Sequence, residues 1–325
     1  MINGNSLILQ FGKETTYGEG GTPSRQIKVA SESFKPMYNK IEEGLLTGGK
    51  AGSKKETMSI RTEGSISTLA RPDDVGFFLK ATLGNEEVSS IEDEKVFLHT
   101  FTALGTNEED VLPSIFAIAD KKVNKFLYNG LKINSLSFSA SPEDYLKLDL
   151  NLVGRNEISS NVEMNNDLLP TTLKSFKFRN GKVKIAGQDV ADITSINFNY
   201  ENQLDTQTQT TSTGVYYKEP NVGVRTIQTT LEAIYTSELE QIRELYYKTD
   251  ETVSIELLFD SEYKIPETDV YYQMKITIPC NQLSDATANF GSAETIKQSM
   301  TFDAFEENGQ ELITIDLING EANEY

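Results

Sequence analysis

The chain of 325 residues has very little of what usually builds metal sites, disulfides or sugar-stacking sites. It contains one cysteine, Cys280, one histidine, His99, and no tryptophan. One cysteine permits no internal disulfide, and one histidine excludes a metal centre with several imidazole ligands. The absence of tryptophan weakens the case for a sugar-binding site. We expect Cys280 and His99 to be structural, and we predict no cofactor and no metal.

Positive charge and long apolar runs are also scarce. Lys plus Arg number 30 against 49 for Asp plus Glu, which gives a net charge of -19. Such a chain repels nucleic acid phosphates and anionic lipid surfaces, so ordinary DNA binding is disfavoured. No apolar run approaches the length of a membrane span, and residues 1–15 lack the basic and apolar regions of a signal peptide. We expect a soluble, cytoplasmically made protein without a membrane partner.

The apolar residues, 38% of the chain, fall mostly in alternating runs typical of half-buried strands. In residues 145–153, four leucines alternate with Lys147, Asp149 and Asn151. Asn180 and Gly181 stand between two short apolar runs and predict the turn of a hairpin. The pattern predicts an all-β fold of tandem sandwich-like or barrel-like domains, each with one short flanking helix.

Residues 58–84 and 222–247 resemble each other. Each begins with a strand-like run near an Arg-Thr pair and continues into a short amphipathic helix, at an offset of about 164 to 165 residues. We therefore predict a duplicated chain, with a first domain at residues 1–160 and a second at residues 161–325. The first helix is predicted to begin at Pro72, and the second to have a capping box of Ser237 and Glu240. The predicted buried positions are Val75, Phe78, Leu79 and Thr82 in the first helix, and Leu239, Ile242, Leu245 and Tyr246 in the second.

Catalytic motifs are weak. Residues 44–51 have the glycine and lysine spacing of a phosphate-binding loop, but Ala51 lacks the hydroxyl that would hold magnesium. Adjacent carboxylates stand at a predicted helix start and in turns, where capping and solvation explain them. Two long polar loops, residues 40–57 and 202–221, occupy matching places in the two halves, and loops of that length usually carry function or reach a neighbour.

Several segments together resemble the tail tube proteins, also called major tail proteins, of long-tailed bacteriophages, in particular the longer members from phages and prophages of Gram-positive bacteria. The resemblance rests on the order and spacing of RTEGSISTLARPDDVGFFLKATLG, VLPSIFAIAD, YNGLKINSLSFS and GQDVADITSINFNYENQLD. It implies a structural virion protein without catalytic activity, whose β-sandwiches close into rings that stack into a hollow tube for genome ejection. Three two-domain chains would complete a pseudo-hexameric ring, although a hexamer of chains is possible.

The resemblance also implies partners and a location. The expected partners are further copies of the chain and the tape measure, tail-tip and tail terminator proteins, while DNA passes through without specific binding. The expected location is the virion tail, assembled in the host cytoplasm. Candidate ring-stacking residues are Lys50, Lys54, Lys55, Tyr216, Tyr217 and Lys218. Candidate lumen-facing residues are Lys147, Asp149, Asn151, Gln273 and Lys275.

Two other classes remain open at the level of sequence. Tandem β-sandwiches host many binding functions, so a secreted or surface-exposed, adhesin-like binding module is one alternative. A carbohydrate-active enzyme on a β-sandwich is the other, and it would require paired carboxylates that converge from separate strands.

Overall fold

The computed structural model describes residues 7–44, 51–92, 94–105, 111–249, 251–289, 295–307 and 309–325. Its described part confirms the all-β prediction, with 19 strands and two short α-helices, α1 (Val75–Leu83) and α2 (Ser237–Ile242). The strands of the first half are β1 (Ile8–Lys13), β2 (Arg25–Gln26), β3 (Ser31–Glu32), β4 (Lys35–Ile41), β5 (Glu56–Leu69), β6 (Gly84–Glu92), β7 (Val96–Ala103), β8 (Ile115–Asp120), β9 (Lys125–Ala140), β10 (Lys147–Gly154) and β11 (Asn156–Ile158). Those of the second half are β12 (Gly181–Ile185), β13 (Gln188–Val190), β14 (Ile193–Glu201), β15 (Thr226–Ile234), β16 (Val253–Lys264), β17 (Tyr271–Asn289), β18 (Lys297–Ala304) and β19 (Thr314–Asn319).

Eight strands form one continuous antiparallel sheet across both halves of the chain. Its order is β4–β5–β10–β9–β14–β15–β18–β17. The pair β9 and β14 joins the two halves. This sheet is not closed: β4 at one end and the C-terminal part of β17 at the other have no further partner strand among the described residues.

Two long strands, β9 and β17, each change sheets halfway along their length. The N-terminal part of β9 pairs with β8 and β11, which gives the order β2–β1–β8–β9–β11. The N-terminal part of β17 pairs with β16 and β19, which gives the order β13–β12–β16–β17–β19–β7–β6. The hairpin β6–β7 of the first half thus extends a sheet of the second half.

The order of strand pairing repeats between the halves, apart from the β6–β7 hairpin. In the first half, β4 pairs with β5, β5 with β10, and β10 with β9. In the second half, β14 pairs with β15, β15 with β18, and β18 with β17. The irregularities repeat too: Asn134 is the extra residue where β9 faces β10, and Ser284 is the extra residue where β17 faces β18. The domain boundary after residue 160 remains a prediction, and one apolar cluster contains residues from both halves.

The helices differ from the sequence prediction in their starts and in one buried face. Residues 72–74 form a turn, and α1 begins at Val75, whose amide donates to the Arg71 carbonyl. The N-cap of α2 is Thr236, not Ser237, because its extended backbone lets its side chain accept from the Leu239 amide. Beyond α2 the backbone continues as one π-helical stretch, Arg243–Tyr247, in which Leu245 is 47% exposed rather than buried.

The predicted turn at Asn180 and Gly181 is wrong. Phe178–Asn180 forms a short 3₁₀ turn, and Gly181 has an extended backbone as the first residue of β12. The hairpin turn lies instead at Ala186 and Gly187, whose φ angles of 51° and 76° suit a two-residue turn between twisted strands. No helix in the described part of the chain is both long and apolar enough to cross a membrane.

Candidate lumen and assembly surfaces

The eight-stranded sheet has one apolar face and one polar face, because successive side chains of a strand point to opposite sides. On the apolar face, buried Ile66, Leu150 and Leu136 are cross-strand neighbours. On the polar face, small neutral and acidic side chains continue from strand to strand across the junction of the halves. One cross-strand row consists of Ser67, Asp149, Ser137, Asn199, Gln228, Asp303 and Gln282.

The charges of the polar face are partly paired. Arg61 contacts Glu63 at 2.6 Å, and Lys297 contacts Glu232 at 2.8 Å. Across the strands, Asp149 lies between Ser67 and Ser137, and Asp285 lies opposite Thr301. The surface is therefore hydrophilic and acidic, without a run of cations that would hold nucleic acid phosphates.

The structure brings three of the five lumen candidates together. Lys147, Asp149 and Asn151 are exposed neighbours on the polar side of β10. Asn151 donates to the Ser135 hydroxyl on β9 at 2.8 Å. Gln273 and Lys275 lie on the N-terminal part of β17, which pairs with β16 and β19 outside the eight-stranded run. A role in a lumen stays a prediction for all five.

The loop of residues 202–225 folds back onto the first half of its own chain. Tyr216 forms a parallel bridge with Ile60, and the Ile60 amide donates to the Val215 carbonyl at 2.8 Å. The Tyr217 hydroxyl is 2.8 Å from the Ser59 hydroxyl. The guanidinium groups of Arg155 and Arg61 lie over the rings of Tyr216 and Tyr217, at 4.9 and 5.5 Å from their centroids. Both tyrosines are consequently half-buried.

An ion pair between buried Lys132 and partly exposed Glu219 holds the same loop to β9. The Lys132 side chain is completely buried, and its Nζ lies 2.7 Å from a Glu219 carboxylate oxygen. It also donates to the Pro220 carbonyl at 3.3 Å. Burial lowers the pKa of Lys132 below its ordinary value, while the hydrogen bond that Lys132 donates to Glu219 opposes that shift.

The lysine candidates have different surroundings from the tyrosines. Lys54 and Lys55 precede β5, and both are exposed, as is Lys218 in the second loop. Lys50, together with most of the weak phosphate-loop pattern, lies outside the described residues. The exposed lysines are available for contact with an acidic partner, although their part in ring stacking remains a prediction.

Sequence reasoning missed a polar cluster around the last residue. The His99 Nδ1 atom is 2.8 Å from the Glu86 carboxylate, and both side chains are fully buried. The amide of Tyr325 donates to the same carboxylate, at 3.2 and 3.0 Å from its two oxygens. Arg25 lies 4.6 Å from the centroid of the Tyr325 ring. Glu86 therefore links buried His99 to the C-terminal segment, and the surroundings of His99 are those of a structural residue.

Other chemistry-bearing residues have structural surroundings as well. Cys280 is buried, its thiol donates to the Gln310 side-chain oxygen at 3.3 Å, and burial raises its pKa. Within the part of the chain that the structure describes, no three His, Cys, Asp or Glu side chains are grouped so that they could hold a metal ion.

The fold and these surfaces define a class: an all-β protein built around a broad sheet with one polar face and two open ends. Comparison with known families then identifies the chain. Residues 4–304 match the phage tail tube protein family, so the chain belongs to that family and is a structural component of a phage tail. No curated protein matches the chain.

Proposed function

We propose that this protein builds the hollow tail tube through which a phage genome leaves the capsid. Three chains complete one ring, and rings stack into the tube. The observation that carries the proposal is the polar face that continues across seven strands, from β5 to the C-terminal part of β17, in a sheet with an open strand edge at each end. Closure against other copies removes those edges, which otherwise invite uncontrolled pairing.

The chemistry of the polar face suits a conduit. DNA passes most easily along a wall that does not bind its phosphates, and acidic side chains among small neutral ones repel rather than bind. Each half of the chain contributes four strands to the sheet. A ring of three chains therefore contains six such four-stranded sets. A ring of six chains is the alternative stoichiometry. The ring assembles in the host cytoplasm and contacts the tape measure, tail-tip and tail terminator proteins in the virion tail.

Ring stacking draws on the exposed lysines. Lys54 and Lys55, with Lys50, contact acidic surface on an adjacent subunit or ring, and Lys218 with the neighbouring Tyr216 and Tyr217 provides a second contact. A variant with Glu at all three positions of the first loop should polymerise poorly, with tube length read by electron microscopy. Normal tubes from that variant would remove these lysines from the proposal.

The deciding experiment is negative-stain electron microscopy of the purified chain at high concentration, with and without a tail-tip initiator. Hollow tubes with three-fold or pseudo-six-fold end views are the expected result. True six-fold views with one chain per sector would retain the tube and replace the trimer. Dispersed monomers in every condition would contradict the tube and favour a binding module.

A further inference from the structure

The junction between the two halves is a template for contacts between chains. Inside the chain, Ser137 of β9 lies opposite Asn199 of β14. Just past the end of β14, the Asn202 side chain donates to the Ile133 carbonyl and to the Thr82 carbonyl of α1, both at 2.9 Å. The second half thus pairs with the sheet of the first and covers the C-terminal end of its helix.

Both sides of this junction recur at the open ends of the sheet. In the second half, Phe198 of β14 lies opposite Thr229, and Thr229 lies opposite Phe302. In the first half, Phe34, just before β4, packs on Gly64, and Gly64 lies opposite Leu152. The repeated bulge makes Leu152 the counterpart of Phe302, so Phe34 is the counterpart of Phe198.

The same bulge relates β9 to β17. Counting from the extra residues Asn134 and Ser284, Ser135 matches Asp285 and Ser137 matches Thr287. On the other strand, the counterpart of Asn199 is Lys35. Each open end of the sheet therefore has the geometry of one side of an interface that the chain already contains.

We propose that β4 of one chain pairs antiparallel with the C-terminal part of β17 in a second copy, with Lys35 opposite Thr287 and Met37 opposite Asp285. The inference rests on the proposed ring and specifies which surfaces close it. Charge supports the register, because Lys35 lies diagonally across from Asp285 of the neighbouring chain, within reach of a long side chain.

Pro36 limits indiscriminate pairing along the open edge of β4. The Ser33 amide donates to the Ser65 carbonyl, so odd-numbered residues of this strand direct their main-chain groups toward β5. Even-numbered residues point the other way, and the nitrogen of Pro36 is therefore directed toward the open edge. This nitrogen has no hydrogen, so the edge is a poor template for indiscriminate pairing. In the proposed register Pro36 faces Ala286, and the junction has one main-chain hydrogen bond fewer than the internal one.

An uncovered apolar surface on the second helix fits the same arrangement. Ala81 and Leu83 of α1 are 2% and 1% exposed, whereas Leu245 and Tyr247, in the π-helical stretch beyond α2, are 47% and 39% exposed. Tyr38 is the counterpart of Asn202, which covers α1, and it is 53% exposed. In the proposed junction Tyr38 of the next chain covers Leu245 and Tyr247.

Disulfide cross-linking tests the register. Lys35→Cys and Thr287→Cys are combined in a chain whose Cys280 is replaced by serine. Within one chain these positions are separated by seven strand spacings, on the order of 30 Å, so a disulfide requires two chains. Oxidation of assembled tubes should produce covalent multimers on denaturing gels, which end at a closed ring of three chains.

Two matched variants control the experiment. Ser137→Cys with Asn199→Cys, the internal counterpart, should give a disulfide within each monomer. Lys35→Cys with Asp285→Cys, a register slipped by two residues, should cross-link several-fold less. If the parent chain forms tubes but the variant with Lys35→Cys and Thr287→Cys gives no cross-link between chains, the proposed junction is wrong while the tube is retained. Absence of tubes from the parent would overturn the proposed function and the junction with it.

A second variant pair tests the apolar contact without cysteines. Tyr38→Asp should leave the monomer folded, with an unchanged melting temperature, and lower tube yield at least tenfold. Tyr38→Phe should assemble like the parent. Equal tube yield from Tyr38→Asp would overturn the cover over Leu245 and Tyr247.

Discussion

The ring of Tyr325 lies directly against Gly76 of α1. A Cβ atom at residue 76 would be 2.2 Å from the nearest ring carbon, a distance that real side chains do not reach. The hydroxyl of Tyr325 also lies 2.7 Å from the Asn319 side-chain nitrogen. The final residue of the chain thus occupies a closely fitted site between the helix and the β6–β7 hairpin, more than 200 positions away in sequence.

Replacement of Tyr325 by alanine should lower the free energy of unfolding by about 3 kcal/mol, since a large buried side chain leaves a cavity. Gly76→Ala should also be destabilising, because its Cβ atom would clash with the Tyr325 ring and displace either the ring or the helix backbone. Urea denaturation measures both. Asn323→Ala is the control at an exposed position of the same segment, and a loss there equal to that of Tyr325→Ala would contradict the fitted site.

The pair of Lys132 and Glu219 should respond differently to single and double substitution. Glu219→Ala leaves a buried ammonium group without its carboxylate, at a cost of about 2 to 3 kcal/mol. Lys132→Met with Glu219→Ala removes both charges and should cost less than Glu219→Ala alone. Urea denaturation measures stability, and limited proteolysis between residues 203 and 225 reports release of the loop. A double variant that loses as much free energy of unfolding as Glu219→Ala alone, or more, would refute this account.

Strand positions were predictable because alternation is a local property. Leu146, just before β10, and the three leucines within β10 are buried, and the lysine, aspartate and asparagine between them face the open side, as the pattern indicates. The same pattern in β17 predicted the same role for Gln273 and Lys275. The strand changes sheets between its two halves, however, and that depends on pairing with β18 and β19, which no local period records.

Long-range contacts account for the rest of the site. Glu86, His99 and Tyr325 gave no shared sequence signal, because the cluster forms only when β19 pairs with β7 and returns the last residues to the first half. The prediction of a hairpin turn at Asn180 and Gly181 was wrong for a related reason. The Phe178 amide donates to the Asp144 carbonyl and the Asn180 amide to the Lys177 carbonyl, and these bonds hold the segment in a 3₁₀ turn.

Asp74 should make stability depend on pH. Burial raises its pKa to about 6, even though Arg71 lies 4.0 Å away and opposes the shift. The folded chain therefore holds this proton more tightly than the unfolded chain, and the resulting stabilisation is lost as pH rises through about 6. Asp74→Asn should accordingly be more stable than the parent at pH 7.5, by roughly 1 to 3 kcal/mol, and the difference should shrink toward pH 5.

Urea denaturation at several pH values measures this difference. The matched control is Asp144→Asn, at an exposed carboxylate whose pKa is lowered mainly by its hydrogen bond with Lys147. Its effect should be small and opposite in sign. A gain for Asp74→Asn that does not change between pH 5 and 7.5 would assign its effect to packing rather than to the charge.

Gly64 determines how closely the edge strand β4 approaches β5. A Cβ atom there would be 2.7 Å from the Phe34 Cα and 2.9 Å from its nitrogen, and backbone atoms cannot yield as a flexible side chain can. Gly64→Ala should displace this part of the edge, lower the free energy of unfolding by about 1 to 3 kcal/mol, and reduce tube yield. Ser67→Ala, on the same strand, is the control. Hydrogen exchange of the Ser33 amide, which donates to the Ser65 carbonyl, should accelerate only in Gly64→Ala; unchanged exchange would contradict the close approach.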